Sequence, residues 1–525
     1  MSFTFQINEN IKFMHNEELL RKADENKPKI VETTVNAKDI VEAVSDDASY
    51  LGAGIKRIAD ADEGLRGKTL RKGNELILDF GRHCVGYFSV DIEKAGSPMD
   101  APLTLKIRFA EIPAELVADP ASYDGWLSSS WIQEEILHID ELPYRLKLGR
   151  RYSFRYVLIS VIDTSPKWGI RLSSPKAVAV SSAGIEPVKK YLSKDPQLQK
   201  IYEVGLCTLS ECMQDVFEDG PKRDRRLWLG DLRLQALSNY HSFDITSIVK
   251  RCLYLFAGMT TQDGMISANV FTRPQYTPDD SFLFDYSLFF ISVLRDYLEI
   301  HEGRELLEDL YPAAKKQMDK AIEYVNSKGE LVLPENMPVF IDWSDEFDKT
   351  TCGQAVFIYA LKDFMWLVDK KSEDNTRYED ICNRMTEYAI SRLFDKERGL
   401  FISGEKREYN IASQVWMTLA HVLPEDTAKS VIKNTIDELF PVRGIATPYM
   451  YHHIAEALLE VGEKNEAIRL IKSYWGEMIR LGADTFWEAF DPDKPEYSPY
   501  GSPIVSSFCH AWSCTPLYLI QKYKL

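Results

Sequence analysis

The stretch Asp219-Gly-Pro-Lys-Arg-Asp-Arg-Arg-Leu-Trp-Leu-Gly-Asp231 joins two segments with helical periodicity, and the rest of the chain is interpreted outward from it. Apolar spacing over residues 195–218 predicts a helix, which Gly220-Pro221 ends. Asp231 precedes the next helical segment and is placed to cap its N-terminus. Three carboxylates and Trp228 therefore share one short, constrained loop. Carboxylates that transfer protons and an indole that covers a ring face are groups that a sugar site needs.

A purely structural role for this loop is also open. Charged connections between helices are common, and the three arginines can neutralise the three aspartates on a solvated turn. Asp231 can then serve only as a helix cap, and Trp228 only as a cover over the helix ends. The composition of the loop, taken alone, favours this structural role.

The order of residues in the loop resembles the signature of glycoside hydrolase family 78, the α-L-rhamnosidases, which reads D-x-P-x-R-[DE]-x-x-x-W-x-G-D. The matching positions are Asp219, Pro221, Arg223, Asp224, Trp228, Gly230 and Asp231. Many members have cysteine at the position of Gly220, and many have glutamate at or next to Asp224, which Arg225 follows here. The resemblance extends from about Leu76 to the C-terminus and implies a six-hairpin glycosidase.

Bulk composition limits the classes of partner. The chain has 525 residues, enough for two or three domains, and 45% of them are hydrophobic. Its formal net charge of −17 opposes binding to nucleic acid or to an anionic membrane. We see no apolar signal segment at the N-terminus and no uncharged run long enough to span a bilayer. The eight cysteines lack metal-ligand spacing, so we expect reduced thiols, no metal, no cofactor and a cytoplasmic location.

A change of periodicity near residue 190 predicts two domains. Residues 1–190 carry strand signals, so we expect an N-terminal β-sandwich, in which residues 114–133 form an insertion without a predicted place. Residues 191–525 carry twelve helical segments, which predict six hairpins closed into an (α/α)6 barrel. The β-domain that often follows the barrel in the resembled family is expected to be missing. That absence leaves a barrel flank bare for a partner, so a homodimer is possible.

Links between helices alternate between the two ends of such a barrel. The links within hairpins are the long ones, and they include the acidic loop, TTQDGMISANVFTRPQYTPDD, PVFIDWSDEFDKT and RLGADTFWEAFDPDKPEYSPYGSPI. Long loops carry function, and these share one end, so we expect the site there. The first and last hairpins are neighbours in a closed ring, which brings Asp224 towards Glu488.

The resemblance implies a role for each candidate residue. Asp224 is the expected general acid, with Asp219 as the competing candidate, and Glu488 of the Thr-x-Trp-Glu segment is the expected base of an inverting hydrolysis. Other residues are expected to bind or orient the sugar, and they are Asp219, Arg223, Trp228, Asp231, Asp342, Trp343, Trp487 and His510.

These features predict a glycosidase of the α-L-rhamnosidase type that cleaves terminal α-L-rhamnosyl residues by general acid and base catalysis. One alternative keeps the fold but changes the sugar to a uronide or another deoxy-sugar, since Arg223 and Arg225 suit a carboxylated ring. Another alternative is a catalytically impaired barrel that only binds saccharide, because Arg225 follows Asp224 in the loop.

Overall fold

The computed structural model describes residues 10–184 and 186–525, in which a sheet domain precedes a helical domain. The N-terminal elements, in chain order, are β1 (Phe13–His15), α1 (Glu17–Glu25), β2 (Val31–Asn36), β3 (Asp39–Ser45), β4 (Ala53–Asp60), α2 (Ala61–Leu65), β5 (Glu75–Gly96), β6 (Leu103–Ala110), α3 (Ala114–Val117), β7 (Glu134–Ile139), β8 (Tyr144–Lys147), β9 (Tyr152–Asp163) and β10 (Trp168–Ser181).

The sheet is antiparallel, with strand order β2-β10-β5-β9-β6-β7, while β3 pairs with β4 and β5, and β8 pairs with β5. The 22 residues of β5 pair with β3 and β9 near its start and with β8 and β10 near its end. An irregularity between Asp79 and Cys84 separates these halves. The sheet folds over a core to which both halves contribute, with Leu78 and Val90 among its members. Alternating apolar residues in strands such as β6 supply that core.

The C-terminal part is helical. Its elements, in chain order, are α4 (Pro196–Cys212), β11 (Leu227–Trp228), α5 (Leu229–Tyr240), α6 (Thr246–Gly258), β12 (Met259–Thr261), β13 (Asn269–Phe271), β14 (Thr277–Pro278), α7 (Phe284–Ile300), α8 (Arg304–Ile322), α9 (Thr350–Lys371), α10 (Thr376–Tyr388), β15 (Phe394–Asp395), β16 (Leu400–Phe401), α11 (Ile411–Leu419), α12 (Glu425–Leu439), α13 (Pro448–Glu460), α14 (Lys464–Arg480) and α15 (Pro516–Tyr523).

Alternate helices form a closed inner ring. The helices α5, α7, α9, α11, α13 and α15 each contact the next, and α15 contacts α5. Burial follows this arrangement, because α5 buries all 12 of its residues whereas the outer helix α14 buries six of its 17, at helical spacing. The prediction of a β-sandwich followed by an (α/α)6 barrel is confirmed.

Helix boundaries differ from the predictions where tertiary hydrogen bonds replace helical ones. The first barrel helix begins at Pro196, one residue after the predicted start, but ends at Cys212 rather than at residue 218. Asp231 lies in the first turn of α5, whose N-cap is Trp228, so the prediction that Asp231 caps this helix is wrong. The last helix begins at Pro516. Before it, the backbone N–H of Ala511 donates to the carbonyl of Asp219 at 2.7 Å.

The first described residues pack on the barrel although the sequence places them in the N-terminal domain. Strand β1 pairs with β12, and α1 contacts α6. The backbone N–H of Asn16 donates to the carbonyl of Gly258 at 2.8 Å, and the Lys22 ammonium lies 2.6 Å from the Asp309 carboxylate. The division of the chain near residue 190 stays a prediction; β10 ends at residue 181 and α4 begins at residue 196.

The two domains meet through a half-buried ion-pair bridge and a buried aromatic contact. The Arg155 guanidinium bridges Asp79 of the sheet, at 2.9 Å, and Asp484 of the helical domain, at 2.6 Å. The Tyr50 ring, in the loop between β3 and β4, lies 4.3 Å from the Trp487 ring, centroid to centroid. None of the helices within residues 10–184 and 186–525 is long and apolar enough to cross a membrane.

We expect Tyr50→Ala to lower the free energy of unfolding by about 3 kcal/mol, because the truncation leaves a cavity against Trp487 in a buried interface. Denaturant titration followed by fluorescence and circular dichroism measures this loss. Tyr144→Ala is the matched control, since Tyr144 is 45% exposed on β8, and it should cost less than about 1 kcal/mol. If the two variants lost equal free energy of unfolding, the Tyr50–Trp487 contact would contribute no more to stability than an exposed side chain does.

Candidate active site

Asp219 closes the acidic loop upon itself. Its carboxylate accepts hydrogen bonds from the backbone N–H groups of Arg226, at 3.0 Å, and Asp224, at 3.3 Å. The loop is too crowded for a side chain at Gly220, where a Cβ atom would lie 2.3 Å from the Arg223 carbonyl oxygen. The glycine is therefore a steric requirement of a loop that presents Arg223 and Asp224 on one side.

Three donor groups hold Glu488 through four hydrogen bonds. The Arg223 Nη2 group lies 2.6 and 2.5 Å from its two oxygens, the Ser507 backbone N–H donates at 3.1 Å, and the Tyr500 hydroxyl also donates to it. Burial alone would raise the pKa of Glu488, but the Arg223 charge, His510 and these hydrogen bonds outweigh burial and hold the pKa below its usual value. Glu488 is therefore ionised at neutral pH.

The buried carboxyl groups of Asp219 and Asp231 keep their protons to higher pH than Glu488 does. Burial and the neighbouring Asp224 carboxylate raise the pKa of Asp219 to about 8. Burial, Asp219 and Glu488 raise the pKa of Asp231 well above its usual value. Burial lowers the pKa of His510 to about 4, so its imidazole is neutral at pH 7. His510 lies between the acids, with Nδ1 3.5 Å from Asp231 and Nε2 3.9 Å from Asp219 and 4.0 Å from Glu488.

These groups line a cavity of about 480 Å³ at the mouth of the barrel. The lining comes from four links within hairpins, those between α4 and α5, α6 and α7, α8 and α9, and α14 and α15, as well as from the insertion over residues 114–133. The predicted site residues among the lining are Asp219, Arg223, Asp224, Trp228, Asp231, Trp343, Glu488 and His510.

Two predicted site residues, Asp342 and Trp487, are not among the described residues that line the cavity. Asp342 accepts hydrogen bonds from the backbone N–H groups of Ser344, at 2.7 Å, and of Ala446 and Thr447, each at 3.0 Å. These bonds tie the link before α9 to the link before α13. Trp487 is 1% exposed, with its ring in the domain interface. Asp342 and Trp487 thus brace the loops that carry Trp343 and Glu488.

Sequence reasoning missed several aromatic residues of the site. Tyr500 donates to Glu488 and lies under the Arg223 guanidinium, whose carbon is 4.1 Å from the ring centroid. The other missed aromatic residues in the lining are Trp126, Trp131, Tyr286, Phe340 and Trp512. Aromatic residues in long polar loops were the available signal, but no local pattern shows which of them turn towards the cavity.

Both parts of the chain match known protein families. Residues 37–179 match the glycosyl hydrolase family 78 alpha-rhamnosidase N-terminal domain, and residues 190–523 match the bacterial alpha-L-rhamnosidase six-hairpin glycosidase domain. An alpha-L-rhamnosidase of Alteromonas sp. (strain LOR) is 21% identical over 472 residues, which cover 83% of this chain and 47% of that protein. The chain thus spans about half the length of this curated relative.

Solved structures extend the comparison to the whole fold. A rhamnosidase from Klebsiella oxytoca with rhamnose bound is 41% identical, with a TM-score of 0.95 over 98% of this chain and 100% of that one. The family 78 rhamnosidase of Bacillus sp. GL1 is 21% identical, with a TM-score of 0.74 over 89% of this chain and 49% of that one. The resemblance seen in the acidic loop is confirmed, and the chain belongs to glycoside hydrolase family 78.

Proposed function

We propose that this protein is an α-L-rhamnosidase that releases terminal α-L-rhamnosyl residues with inversion at the anomeric carbon. The observation that carries the proposal is the pairing, in one cavity, of an ionised Glu488 with the acid pair Asp219 and Asp224. Glycoside hydrolysis needs one carboxylate that activates water and one acid that protonates the leaving oxygen. The Klebsiella oxytoca rhamnosidase with rhamnose bound, 41% identical, supports rhamnose as the sugar.

Glu488 takes the role of general base in this proposal. Its lowered pKa keeps it ionised, and four hydrogen bonds from three donor groups fix its orientation. Four hydrogen bonds also fill the acceptor positions of a carboxylate, so one of them must break before Glu488 accepts a proton from water. The Tyr500 hydroxyl is the donor that yields by rotation about a single bond, whereas the guanidinium and the backbone N–H are fixed.

Asp224 takes the role of general acid, with Asp219 as the competing candidate. The Asp224 side chain is 17% exposed and is therefore the more accessible of the two to a glycosidic oxygen, while Asp219 is 5% exposed and accepts two backbone hydrogen bonds. Because the pKa of Asp219 is about 8, Asp219 carries a proton at neutral pH. That proton is available to the leaving group through Asp224.

The homodimer and the cytoplasmic location stay predictions of the sequence. Size-exclusion chromatography with light scattering measures the first, and fractionation of the source cells measures the second. The activity proposed above depends on neither, since the cavity is built from one chain.

Asp224→Asn should lower kcat/KM by several orders of magnitude on rhamnosides with poor leaving groups, and much less on activated aryl rhamnosides, which need little protonation. Steady-state kinetics over a series of leaving groups measures this dependence. Asp219→Asn is the matched comparison, because it changes the neighbouring acid in the same loop. If Asp219→Asn shows the stronger dependence on the leaving group, the roles of the two residues are exchanged.

Glu488→Ala should lose activity on activated and unactivated rhamnosides alike, because attack by water is impaired for each of them. Added azide should restore part of the rate and yield a glycosyl azide of inverted configuration. Proton NMR within minutes of mixing identifies the anomer that the wild-type protein forms first. A first product with the anomeric configuration of the substrate would show that the reaction is not the inverting one.

The pH profile of kcat/KM should fall on both sides of neutrality. Activity should be lost as pH rises through about 8, where Asp219 releases the proton that the leaving group requires. It should also be lost in acid, as pH falls through the lowered pKa of Glu488 and the base becomes protonated. In Asp219→Asn, the residue that holds this proton is replaced by one that cannot release it, so the alkaline limb of the profile should move to lower pH. An unchanged alkaline limb in that variant would contradict the assignment.

A further inference from the structure

The insertion over residues 114–133 belongs to the sheet domain in sequence, between β6 and β7, but it reaches the catalytic cavity. Its residues in the described lining are Trp126, Leu127, Ser128 and Trp131. Trp126 is 47% exposed, although an indole ring of this size is usually well buried. An exposed indole beside a sugar-sized cavity is a surface that a ligand can cover.

The insertion is fixed to the barrel, so Trp126 is presented on a supported loop. Its indole Nε1 donates to the Pro499 carbonyl at 2.9 Å, and its backbone N–H donates to the Tyr500 carbonyl at 3.2 Å. A Cβ atom at Gly125 would lie 2.5 Å from that same Tyr500 oxygen, so the close approach requires glycine. The Trp126 and Tyr500 ring centroids are 5.6 Å apart. A ring held in this way loses little conformational entropy when a ligand binds.

The lining of the cavity is buried at the acids and more exposed at the insertion. The side chains of Glu488 and His510 are each 2% exposed, that of Asp224 is 17% exposed, and Trp126 is 47% exposed. A rhamnosyl residue among the buried acids places its glycosidic oxygen beside Asp224. The leaving group then extends outward, to the part of the wall that the insertion supplies.

We infer that Trp126 and Trp131 form the binding site for the leaving group and select rhamnosides whose leaving group presents a flat ring face. A pyranose ring and an aryl ring share that chemistry, since both pack a flat face against an indole. This inference rests on the proposed rhamnosidase activity and deepens it by naming the other half of the substrate.

The test compares kcat/KM for three substrates: methyl α-L-rhamnoside, a rhamnosyl-glucose disaccharide and phenyl α-L-rhamnoside. Trp126→Ala should lower kcat/KM on the ring-bearing substrates by about 3- to 10-fold, the range expected from loss of one ring contact, mainly through KM. The methyl rhamnoside, whose leaving group has no ring, should change by less than about twofold. A loss on phenyl rhamnoside alone assigns the site to aryl leaving groups, and a loss on both assigns it to ring faces in general.

Three controls make the result specific. Tyr144→Ala removes an aromatic side chain of similar exposure, 45%, from β8 of the same domain and should change none of the three values. Trp126→Phe keeps a flat ring and should recover most of the loss. The inhibition constant of free rhamnose should be unchanged in Trp126→Ala, which shows that the sugar pocket is intact.

Two outcomes would overturn the inference, and they are distinguishable. Equal losses on all three substrates would mean that Trp126 supports the cavity without contacting the leaving group, and the proposed activity would stand. Absence of turnover by the wild-type protein on every rhamnoside would refute the proposed activity itself, and the inference would fall with it.

Discussion

The buried ion pair between Arg223 and Glu488 is the interaction on which the site depends. It joins the link after α4 to the link after α14, so it connects the first and last hairpins where the ring closes. Removing two charges from water is costly, and such a pair is favourable only when further hydrogen bonds complete it. Here the Arg223 Nε donates to the Val505 carbonyl at 3.1 Å, its guanidinium stacks on Tyr500, and Ser507 donates to Glu488. Loss of one partner would leave an uncompensated buried charge, at a cost of about 3–5 kcal/mol.

The sheet domain also contacts the two loops that carry this ion pair. The Lys222 ammonium, next to Arg223 in the chain, forms an ion pair with Glu115 of the sheet domain and donates to the Ser506 carbonyl at 2.9 Å. Glu111, at the end of β6, accepts from the backbone N–H of Phe508 at 2.7 Å. The loops that carry Arg223 and Glu488 are therefore both anchored to the segment that follows β6. The domain acts as a scaffold for the site as well as supplying part of its wall.

Burial also sets the charge of the site. Asp219, Asp224, Asp231 and Glu488 would repel one another strongly if all were ionised in this cavity, and the Arg223 guanidinium alone would not balance them. Burial raises the pKa of Asp219 and Asp231, while the contacts with Arg223 keep Glu488 ionised. The same cluster thus holds an acid that carries a proton and a base that lacks one. Groups whose environments separate their pKa values in this way are suited to acid and base roles in one reaction.

The sequence by itself determined the order of sheet and barrel, the twelve helices and the loop from Asp219 to Asp231. These features depend on periodicity and on spacing within one segment, which local conformational preference fixes. The neighbouring hairpins also placed Asp224 and Glu488 at one mouth, because connections alternate in a closed ring of helices.

Only the tertiary structure decided which way side chains turn and which distant segments meet. Asp342 satisfies backbone N–H groups more than 100 residues away in the chain, and Trp487 packs against Tyr50 of the other domain, contacts that no local pattern contains. The insertion with Trp126 reaches the cavity for the same reason, since its position depends on how the two domains dock. The pKa of Asp219 is likewise a consequence of burial, which arises only when the whole chain excludes water from the loop.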